Sequence, residues 1–278
     1  MIQLDGSHLE GGGALVRVAL ALSALTGQEF SVANIRAGRE QGGLKAQHLQ
    51  AIKALQKICN AETNEIEIGS TELHFKPGKI KSGRYEIDIG TAGSITLLLQ
   101  ALLLPCLFAP RTVTIKIKGG TCGKWQAGVD YLQNVLTPHL HRFVDKIEVK
   151  ILKRGYYPQG GGEVDVKIIP RFMLSHFDSF ELFWQDLQSK CAKINLVEQG
   201  KVEQVRGIIN LSQELEEKDV AERIRTSAVE VLRSLQVPTN IRIEHVQSLS
   251  TGGEMTLWAV CSQNGKVDFD NPVLLGGD

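Results

Sequence analysis

The chain lacks most of the features that mark specialised classes of protein. Only 6% of its 278 residues are aromatic, and its 31 basic residues are balanced by 31 acidic ones. A formal net charge of zero argues against a protein that coats nucleic acid, because non-specific affinity for a polyanion comes mainly from neutralised phosphates. Any nucleic-acid contact is therefore expected to be local. With 42% hydrophobic residues, the composition is typical of a folded soluble protein.

Cysteine is sparse. The five cysteines are an odd number without a CxxC pair, which argues against a disulfide framework or a zinc ribbon. Cys59, Cys106 and Cys261 have apolar neighbours, so we expect them to be small core side chains. The first five residues show no basic region followed by an apolar one, so no signal peptide is predicted and a cytoplasmic location is expected.

A long uninterrupted apolar run is also missing. The longest apolar stretch, residues 95–110, contains Thr96, Gln100 and Pro105. It falls short of the roughly 20 residues that a membrane span needs. We expect a buried helix here and no membrane partner.

A weak internal repeat organises the first 170 residues. A glycine loop opens an apolar helix at Gly11-Gly12-Gly13, and another does so at Gly93, 80 positions after Gly13. Each helix is followed by a short strand with a polar glycine loop, a second helix with apolar residues at helical spacing, and alternating strands. The pattern predicts two mixed α/β units, residues 1–80 and 81–170, in one large domain.

The pattern changes after residue 170. Residues 172–193 are aromatic and look irregular. Residues 205–261 read as a strand, a helix with Asp219 as its N-cap and Pro238 beyond its end, and two more strands. We predict a linker and a small inserted α/β domain over residues 171–270, and the start of a return to the large domain over residues 271–278.

The first glycine loop is a candidate phosphate site. Gly11-Gly12-Gly13 lies between a predicted strand and a predicted helix, where backbone amides and the helix dipole favour an anion. A tight turn explains the glycines equally well, since the loop is neither a Walker loop nor GxGxxG. Two neighbours favour function: Glu10 has the carboxylate that divalent metals prefer, and Arg17 interrupts an apolar helix.

The second loop carries two arginines around a glycine. Arg36-Ala37-Gly38-Arg39 ends a predicted strand, and Gln47-His48 follow at the start of the next helix. Paired guanidinium groups bind phosphate oxygens in a bidentate way that lysines cannot match. The alternative interpretation is two solvated surface charges.

The second unit offers two further candidates. Gln100 is an amide on a nearly all-apolar helix and needs hydrogen-bond partners, by default the backbone. Residues 154–163 combine an arginine, two tyrosines and a glycine run, as a base-stacking site would, although a hairpin with a bulged turn is equally consistent. None of the seven histidines has the spacing of a catalytic triad or a metal site.

Taken in order, these segments are similar to the RNA 3′-terminal phosphate cyclase family. The matching strings are Asp5-Gly6, Glu10-Gly11-Gly12-Gly13 with Arg17, Ile35-Arg36-Ala37-Gly38-Arg39, Gly43-Leu44, Gln47-His48-Leu49, Thr91-Ala92-Gly93-Ser94 with Gln100, Gly119-Gly120-Thr121, and residues 154–163. They cover residues 1 to about 170, and weaker similarity continues at Val205-Arg206-Gly207.

The resemblance implies an α/β fold of repeated βαβαββ-type units, as in the enolpyruvyl transferases and the RNA 3′-phosphate cyclases, with a small inserted α/β domain. It also implies an ATP-dependent, ligase-type enzyme of RNA processing. In that reaction a histidine accepts AMP from ATP and passes it to an RNA 3′-phosphate. The vicinal 2′-oxygen then displaces AMP and leaves a 2′,3′-cyclic phosphate. The implied partners are RNA 3′-phosphate ends and ATP with Mg or Mn.

The resemblance also assigns roles by position. Glu10 would bind the divalent metal, and Gln100 would face the adenosine. The expected catalytic residues, which would line the phosphate and RNA-end site, are Arg17, Arg36, Arg39 and Gln47. The expected nucleotide-binding loop consists of Gly11, Gly12 and Gly13.

Several positions depart from the family pattern. Ala14 replaces a usual glutamine, Gly42 replaces a usual proline, and Trp125-Gln126-Ala127-Gly128 stands where an Ala-Pro-Pro-like stretch is usual. The family's nucleophilic histidine belongs to a third repeat, to which no histidine of this chain corresponds. The alternative prediction is therefore a catalytically inactive, cyclase-like protein of RNA binding or ribosome assembly.

Overall fold

The first unit forms a four-stranded sheet with two helices in the computed structural model, which describes residues 1–8, 12–197, 199–262 and 273–277. The strand order is β1-β2-β4-β3, with β1 and β2 parallel and the remaining pairs antiparallel. The elements are β1 (Ile2–Asp5), α1 (Ala14–Thr26), β2 (Phe30–Ala33), α2 (Ala46–Cys59), β3 (Glu62–Thr63) and β4 (Leu73–Lys76).

The second unit repeats this topology. Its strand order is β5-β6-β8-β7, again with the first two strands parallel and the others antiparallel. The elements are β5 (Gly83–Asp88), α3 (Ile95–Leu107), β6 (Val113–Gly119), α4 (Val129–Tyr131), α5 (Thr137–Leu140), β7 (Val144–Lys153) and β8 (Gly162–Pro170). The predicted α/β repeat of the βαβαββ type is confirmed.

The second helix of this unit is not a regular α-helix. A π-helical turn, Leu132–Leu136, separates α4 from α5, and a 3-10 turn, His141–Phe143, follows. Pro138 has no N–H to give to the carbonyl four residues earlier, so the regular ladder cannot continue there. The Thr137 hydroxyl instead donates to the Leu132 carbonyl oxygen at 2.7 Å.

Helix α3 lies at the centre of the large domain. It packs on α1 and α2 on one side and on β6 and β8 on the other, which explains why its sequence is apolar nearly all round. The predicted buried helix is confirmed, and no helix in the described part of the chain is long and apolar enough to span a membrane. All five cysteines are free, and Cys59, Cys106 and Cys261 are buried as expected.

The segment after β8 is more regular than the sequence suggests. It contains α6 (Phe180–Lys190), and Ser179 caps this helix by accepting the Leu182 amide. Phe183 and Leu187, one turn apart, are buried in the same core as the helices of the first two units. The Phe183 ring meets the Phe108 ring edge-on, at 5.0 Å between centroids. The expectation of an irregular segment is wrong, because Phe183 and Leu187 follow a helical spacing and are buried on one face of the helix.

The small sheet has the strand order β10-β9-β11-β12. Its elements are β9 (Lys201–Ser212), α7 (Val220–Leu232), β10 (Thr239–Val246), β11 (Gly253–Ser262) and β12 (Val273–Gly277). Asp219 is the N-cap residue of the helix, as predicted, but its backbone is left-handed (φ 51°) and its side chain makes no capping hydrogen bond. Strand β12 pairs with β11, and the predicted domain limits stay a prediction.

A buried polar network joins the second unit to the small sheet. Arg154, which follows β7, donates both terminal nitrogens to Asp130 at 2.6 and 3.1 Å and also contacts Glu244 of β10 at 2.6 Å. Asn210 of β9 donates to Asp130 at 2.9 Å and accepts from the Tyr156 hydroxyl at 2.7 Å. Because every one of these groups has a partner, the network fixes the small sheet against the loop that follows β7.

Candidate functional site

A cleft of about 1180 Å³ between the two units is lined by several cations. The first unit contributes α1, the β2–α2 loop and the start of α2. The second contributes the loops before α3 and after β6. The charged or titratable bases on its walls are Arg17, Arg36, Arg39, Lys45, His48 and Lys124. The described lining residues include no carboxylate.

Arg17 is the most deeply placed of these cations. Its residue is only 8% exposed, and its Nε donates to Gln100 Oε1 at 2.8 Å. Burial, and secondarily the charge of Arg36, lowers the pKa of the Arg17 guanidinium. Gln100 itself is exposed, so the expectation of a buried amide is wrong, and its oxygen orients Arg17 towards the cleft.

Arg36 is held by its own loop. Its backbone is left-handed (φ 58°), and its Nη1 donates to the carbonyl oxygens of Gln41 at 2.9 Å and Gly43 at 3.1 Å. Burial, followed by the charge of Arg39, lowers the pKa of Arg36. Arg36 therefore stabilises the conformation of its loop and also contributes a positive charge to the cleft. Arg39 lines the cleft as well, with an exposed side chain.

His48 is a neutral hydrogen-bond donor. Its Nδ1 accepts the Lys45 backbone N–H at 3.1 Å. Burial, with the charges of Arg17, Arg36 and Lys45, lowers its pKa to about 3. The ring proton must then lie on Nε2, which is 3.4 Å from Arg17 Nη1. With the proton on Nε2 both groups are donors and cannot satisfy each other, so one oxygen of a water or a ligand in the cleft can accept from both.

Position 13 is glycine because a side chain there would collide with His48 and Arg17. Its φ is −70°, so no left-handed backbone requires it. A Cβ atom there would overlap Nε2 of His48 and lie 2.9 Å from Nη1 of Arg17. The glycine lets two donors approach the N-terminus of α1, where the helix dipole also favours an anion.

Gln47 connects the two units. Its Oε1 accepts the Ser94 backbone N–H at 3.0 Å, just before α3. The Ser94 hydroxyl in turn accepts the Leu97 N–H at 3.0 Å and caps α3. Gln47 thus sets the spacing of the two walls of the cleft.

The structure brings most of the sequence-predicted residues together. Arg17, Arg36, Arg39, Gln47 and Gly13 line one cleft. Gln100 adjoins it through Arg17, and Gly12 lies near Arg39.

Glu10 and Gly11 lie outside the described residues. Within the described ranges, no three acidic, cysteine or histidine side chains cluster as metal ligands do, and the metal role of Glu10 stays a prediction.

The sequence interpretation missed the specific role of His48 and the contributions of Lys45 and Lys124, and it named Trp125 only as a departure from the family pattern. Tyr157 belongs to the segment 154–163 that it did single out, and this residue lines the cleft. One signal was present. The spacing of Lys45 and His48 is that of a helix N-cap and its third residue, where a side chain can accept the N-cap amide.

The low pKa of His48 predicts a pH-dependent stability. Between its ordinary value of 6.5 and the folded value of about 3, the unfolded chain takes up a proton that the folded chain does not. The contribution of His48 to the free energy of unfolding is therefore fully present above pH 6.5. As the pH falls from 6.5 towards 3, this contribution is lost by about 1.4 kcal/mol per pH unit. We expect His48→Gln to remove that slope in urea unfolding between pH 6 and 4. The same slope in wild type and variant would contradict this. The exposed His176→Gln is the control and should leave the slope unchanged.

The duplicated sheets and the cleft lined by cations define a class of α/β proteins built from two repeated units. The sequence model of the RNA 3′-terminal phosphate cyclase family matches residues 8–268. The chain belongs to this family. It is similar to the RNA 3′-terminal phosphate cyclase of Methanopyrus kandleri, with 40% identity over 97% of this chain and 73% of that protein. It is 42% identical to that of Pyrococcus furiosus, over 93% of this chain and 70% of the relative.

Proposed function

We propose that the protein binds RNA 3′-phosphate ends in the cationic cleft and converts them to 2′,3′-cyclic phosphates. One observation carries the proposal: among the described residues, Arg17 and the Nε2–H of His48 converge as donors with no acceptor between them, beside further cations. A terminal phosphate supplies several acceptor oxygens and the negative charge that this arrangement lacks. The names of the relatives agree with such a substrate.

The geometry supports distinct roles for the lining residues. Arg17, oriented by Gln100, and His48 bind oxygens of the phosphate at the base of the cleft. Arg39 and Lys45 stand further out and add charge that attracts the RNA end. His48 acts as a donor and not as the nucleophile, because Nδ1 is occupied by the Lys45 amide and Nε2 carries the proton.

ATP and a divalent metal belong to the proposal. In the family reaction ATP supplies the AMP that activates the 3′-phosphate. We propose that Gln100 and the glycines at the start of α1 contact this nucleotide, since Gln100 is exposed beside Arg17 and Gly13 lines the cleft. Glu10 is the proposed ligand of Mg or Mn.

The proposal predicts a preference for a phosphorylated end. Wild-type protein should bind a fluorescent oligoribonucleotide with a 3′-phosphate more tightly than the same strand with a 3′-hydroxyl. Arg17→Met removes a charge-assisted hydrogen bond of about 1.5–3 kcal/mol, so binding should weaken roughly ten- to a hundredfold for the phosphorylated strand only. The matched control is Arg111→Gln, an exposed arginine that does not line the cleft. Equal binding of both strands by the wild type would contradict phosphate recognition.

Activity is measured separately. With ATP and Mg or Mn, a labelled 3′-phosphate should become resistant to phosphatase. Because no histidine of this chain corresponds to the family's nucleophile, α-labelled ATP tests whether another side chain accepts AMP in an acid-labile bond. Tight, phosphate-dependent binding without either product would favour the second candidate, a catalytically inactive cyclase-like RNA-binding protein.

A further inference from the structure

The loop between β7 and β8 lies between the small sheet and the cleft. This β7–β8 loop, residues 154–161, contacts the small sheet on one side and the loop before α3, residues 89–94, on the other. Ala92, Gly93 and Ser94 of the loop before α3 line the cleft. The β7–β8 loop therefore connects the small sheet to one wall of the site.

The contact with the loop before α3 is made by backbone atoms. Gly160 has a left-handed backbone (φ 72°), and a Cβ there would lie 2.8 Å from the Ala92 Cα and 2.9 Å from the Thr91 carbonyl oxygen. The Gly160 N–H donates to the Tyr156 carbonyl oxygen at 2.8 Å, which closes the loop on itself. Because no flexible side chain lies between the two backbones, a shift of Gly160 is passed directly to Ala92.

The contact with the small sheet begins at Tyr156. This residue is 2% exposed, and its hydroxyl donates to Asn210 Oδ1 at 2.7 Å. Asn210 is itself fully buried and donates to Asp130 Oδ2 at 2.9 Å. The Tyr156 side chain also packs on Gly252, where a Cβ would lie 2.6 Å from the Tyr156 Cβ. Loss of the hydroxyl would leave a buried acceptor without its donor, so this hydrogen bond fixes the loop strongly.

The loop between β10 and β11, residues 247–252, adds two more contacts. Ser250 Oγ accepts the Gln159 backbone N–H at 3.1 Å. The Leu249 side chain covers Gly161, where a Cβ would lie 2.5 Å from the Leu249 Cδ1. The small sheet thus holds the positions immediately before and after Gly160, which is the residue that touches the loop before α3.

The loop before α3 is held on its other sides as well. The Gly93 carbonyl oxygen accepts the Gly120 N–H at 2.9 Å, and Gln47 Oε1 accepts the Ser94 N–H at 3.0 Å. Gln47 directly precedes His48 in α2, so the position of Ser94 is tied to the residue whose Nε2 faces the cleft. A displacement of the loop before α3 would therefore change the geometry of the donors.

We propose that the small sheet positions the wall of the cleft formed by residues 92–94, and that Tyr156 is a positioning residue for binding of the RNA 3′-phosphate. Tyr156 does not line the cleft and acts through Gly160 and Ala92. The inference rests on the proposed function for the identity of the ligand. The small sheet then contributes to the affinity for an RNA end that it does not touch.

Two variants remove hydrogen bonds of this joint and leave its packing in place. Tyr156→Phe and Ser250→Ala should each weaken binding of a 3′-phosphorylated oligoribonucleotide, measured by fluorescence anisotropy, roughly two- to thirtyfold. That is the range for residues that act on a site through others. Ser250→Thr keeps an acceptor hydroxyl and should bind nearly as well as the wild type. Unchanged affinity in both Tyr156→Phe and Ser250→Ala would overturn the proposal.

Hydrogen–deuterium exchange of the free protein tests the route. In Tyr156→Phe the Ser94 amide should exchange faster, by a factor similar to the loss of affinity, because the loop before α3 opens more often. The amides of β2, in the sheet of the first unit, should exchange as in the wild type. Faster exchange in β2 and at Ser94 alike would show a general loss of stability and would overturn the positioning role.

A matched tyrosine serves as the control. The Tyr85 hydroxyl donates to the Lys81 carbonyl oxygen at 3.2 Å, and Tyr85 does not line the cleft. Tyr85→Phe therefore removes the same atom and should change neither the affinity nor the exchange of Ser94. An equal effect of Tyr85→Phe and Tyr156→Phe would contradict a specific route through the β7–β8 loop.

The two proposals fail in different ways. If Arg17→Met weakens binding of the phosphorylated strand but Tyr156→Phe changes neither binding nor exchange, the phosphate site stands and the positioning role is wrong. If Tyr156→Phe weakens binding and speeds the exchange of Ser94 while the wild type binds a 3′-hydroxyl strand as tightly as a 3′-phosphate strand, the positioning role stands and the proposed function is wrong.

Discussion

Replacing Arg154 with methionine should lower the free energy of unfolding by about 3–5 kcal/mol, because it leaves an unpaired charge in the interior. Asp130 is 0% exposed, and both terminal nitrogens of Arg154 donate to its carboxylate in a bidentate ion pair. Burial lowers the pKa of Arg154, but the hydrogen bonds and charges of Asp130 and Glu244 outweigh it and raise the pKa overall. Urea unfolding at pH 7 measures the loss directly.

A double variant tests whether the loss of stability comes from breaking the ion pair between Arg154 and Asp130. In Arg154→Met combined with Asp130→Asn the unpaired charge is gone, so much of the stability should return. A double variant as unstable as the sum of the two single variants would show that Arg154 and Asp130 act independently. As a control, Arg171→Met removes an exposed ion pair with Asp145 and should cost less than about 1 kcal/mol.

The second large effect, on ligand binding, is expected from the single methyl group that Gly13→Ala adds. Gly13→Ala should weaken binding of a 3′-phosphorylated oligoribonucleotide about a hundredfold or more, because the added Cβ displaces both His48 and Arg17. Two charge-assisted or buried hydrogen bonds are lost together, each of about 1.5–3 kcal/mol. Isothermal titration of the purified variant checks the value.

The adjacent glycine supplies a matched control. Among the described residues, a Cβ at Gly12 would meet only Arg39 Nη2, at 3.6 Å, which is an ordinary contact. Gly12→Ala should therefore bind the phosphorylated strand nearly as well as the wild type. If both variants bind equally poorly, the loop is sensitive to any side chain, and the explanation from His48 and Arg17 is wrong.

The repeat was predictable from sequence because it depends on local signals. Glycine loops, apolar helical spacing and alternating strands recur after about 80 residues, and the two sheets have the same strand order. Helix α6 was missed because its aromatic residues, including Phe180 and Trp184, obscure the spacing of the buried Phe183 and Leu187. The π-helical turn before Pro138 was missed because it depends on one absent amide within an otherwise helical pattern.

The site was only partly predictable. Arg17, Arg36 and Arg39 stand out as arginines in glycine or apolar surroundings, and family resemblance adds Gln47. The contact between Arg17 and His48 joins residues 31 positions apart, and no periodicity reveals it. Arg154 was grouped with the tyrosines as a ligand residue, but it is buried against Asp130 and does not line the cleft. Only the tertiary fold separates it from Tyr157.

The duplication also divides the lining of the cleft between the two units. Of the cleft's cations, Arg17, Arg36, Arg39 and Lys45 come from the first unit and Lys124 comes from the second, which also contributes Trp125 and Tyr157. A hydrogen bond between Gln47 and Ser94 joins the two walls. Substitutions in the loops of the second unit can therefore change the shape of one wall of the cleft, while the four cations of the first unit keep their places on the other.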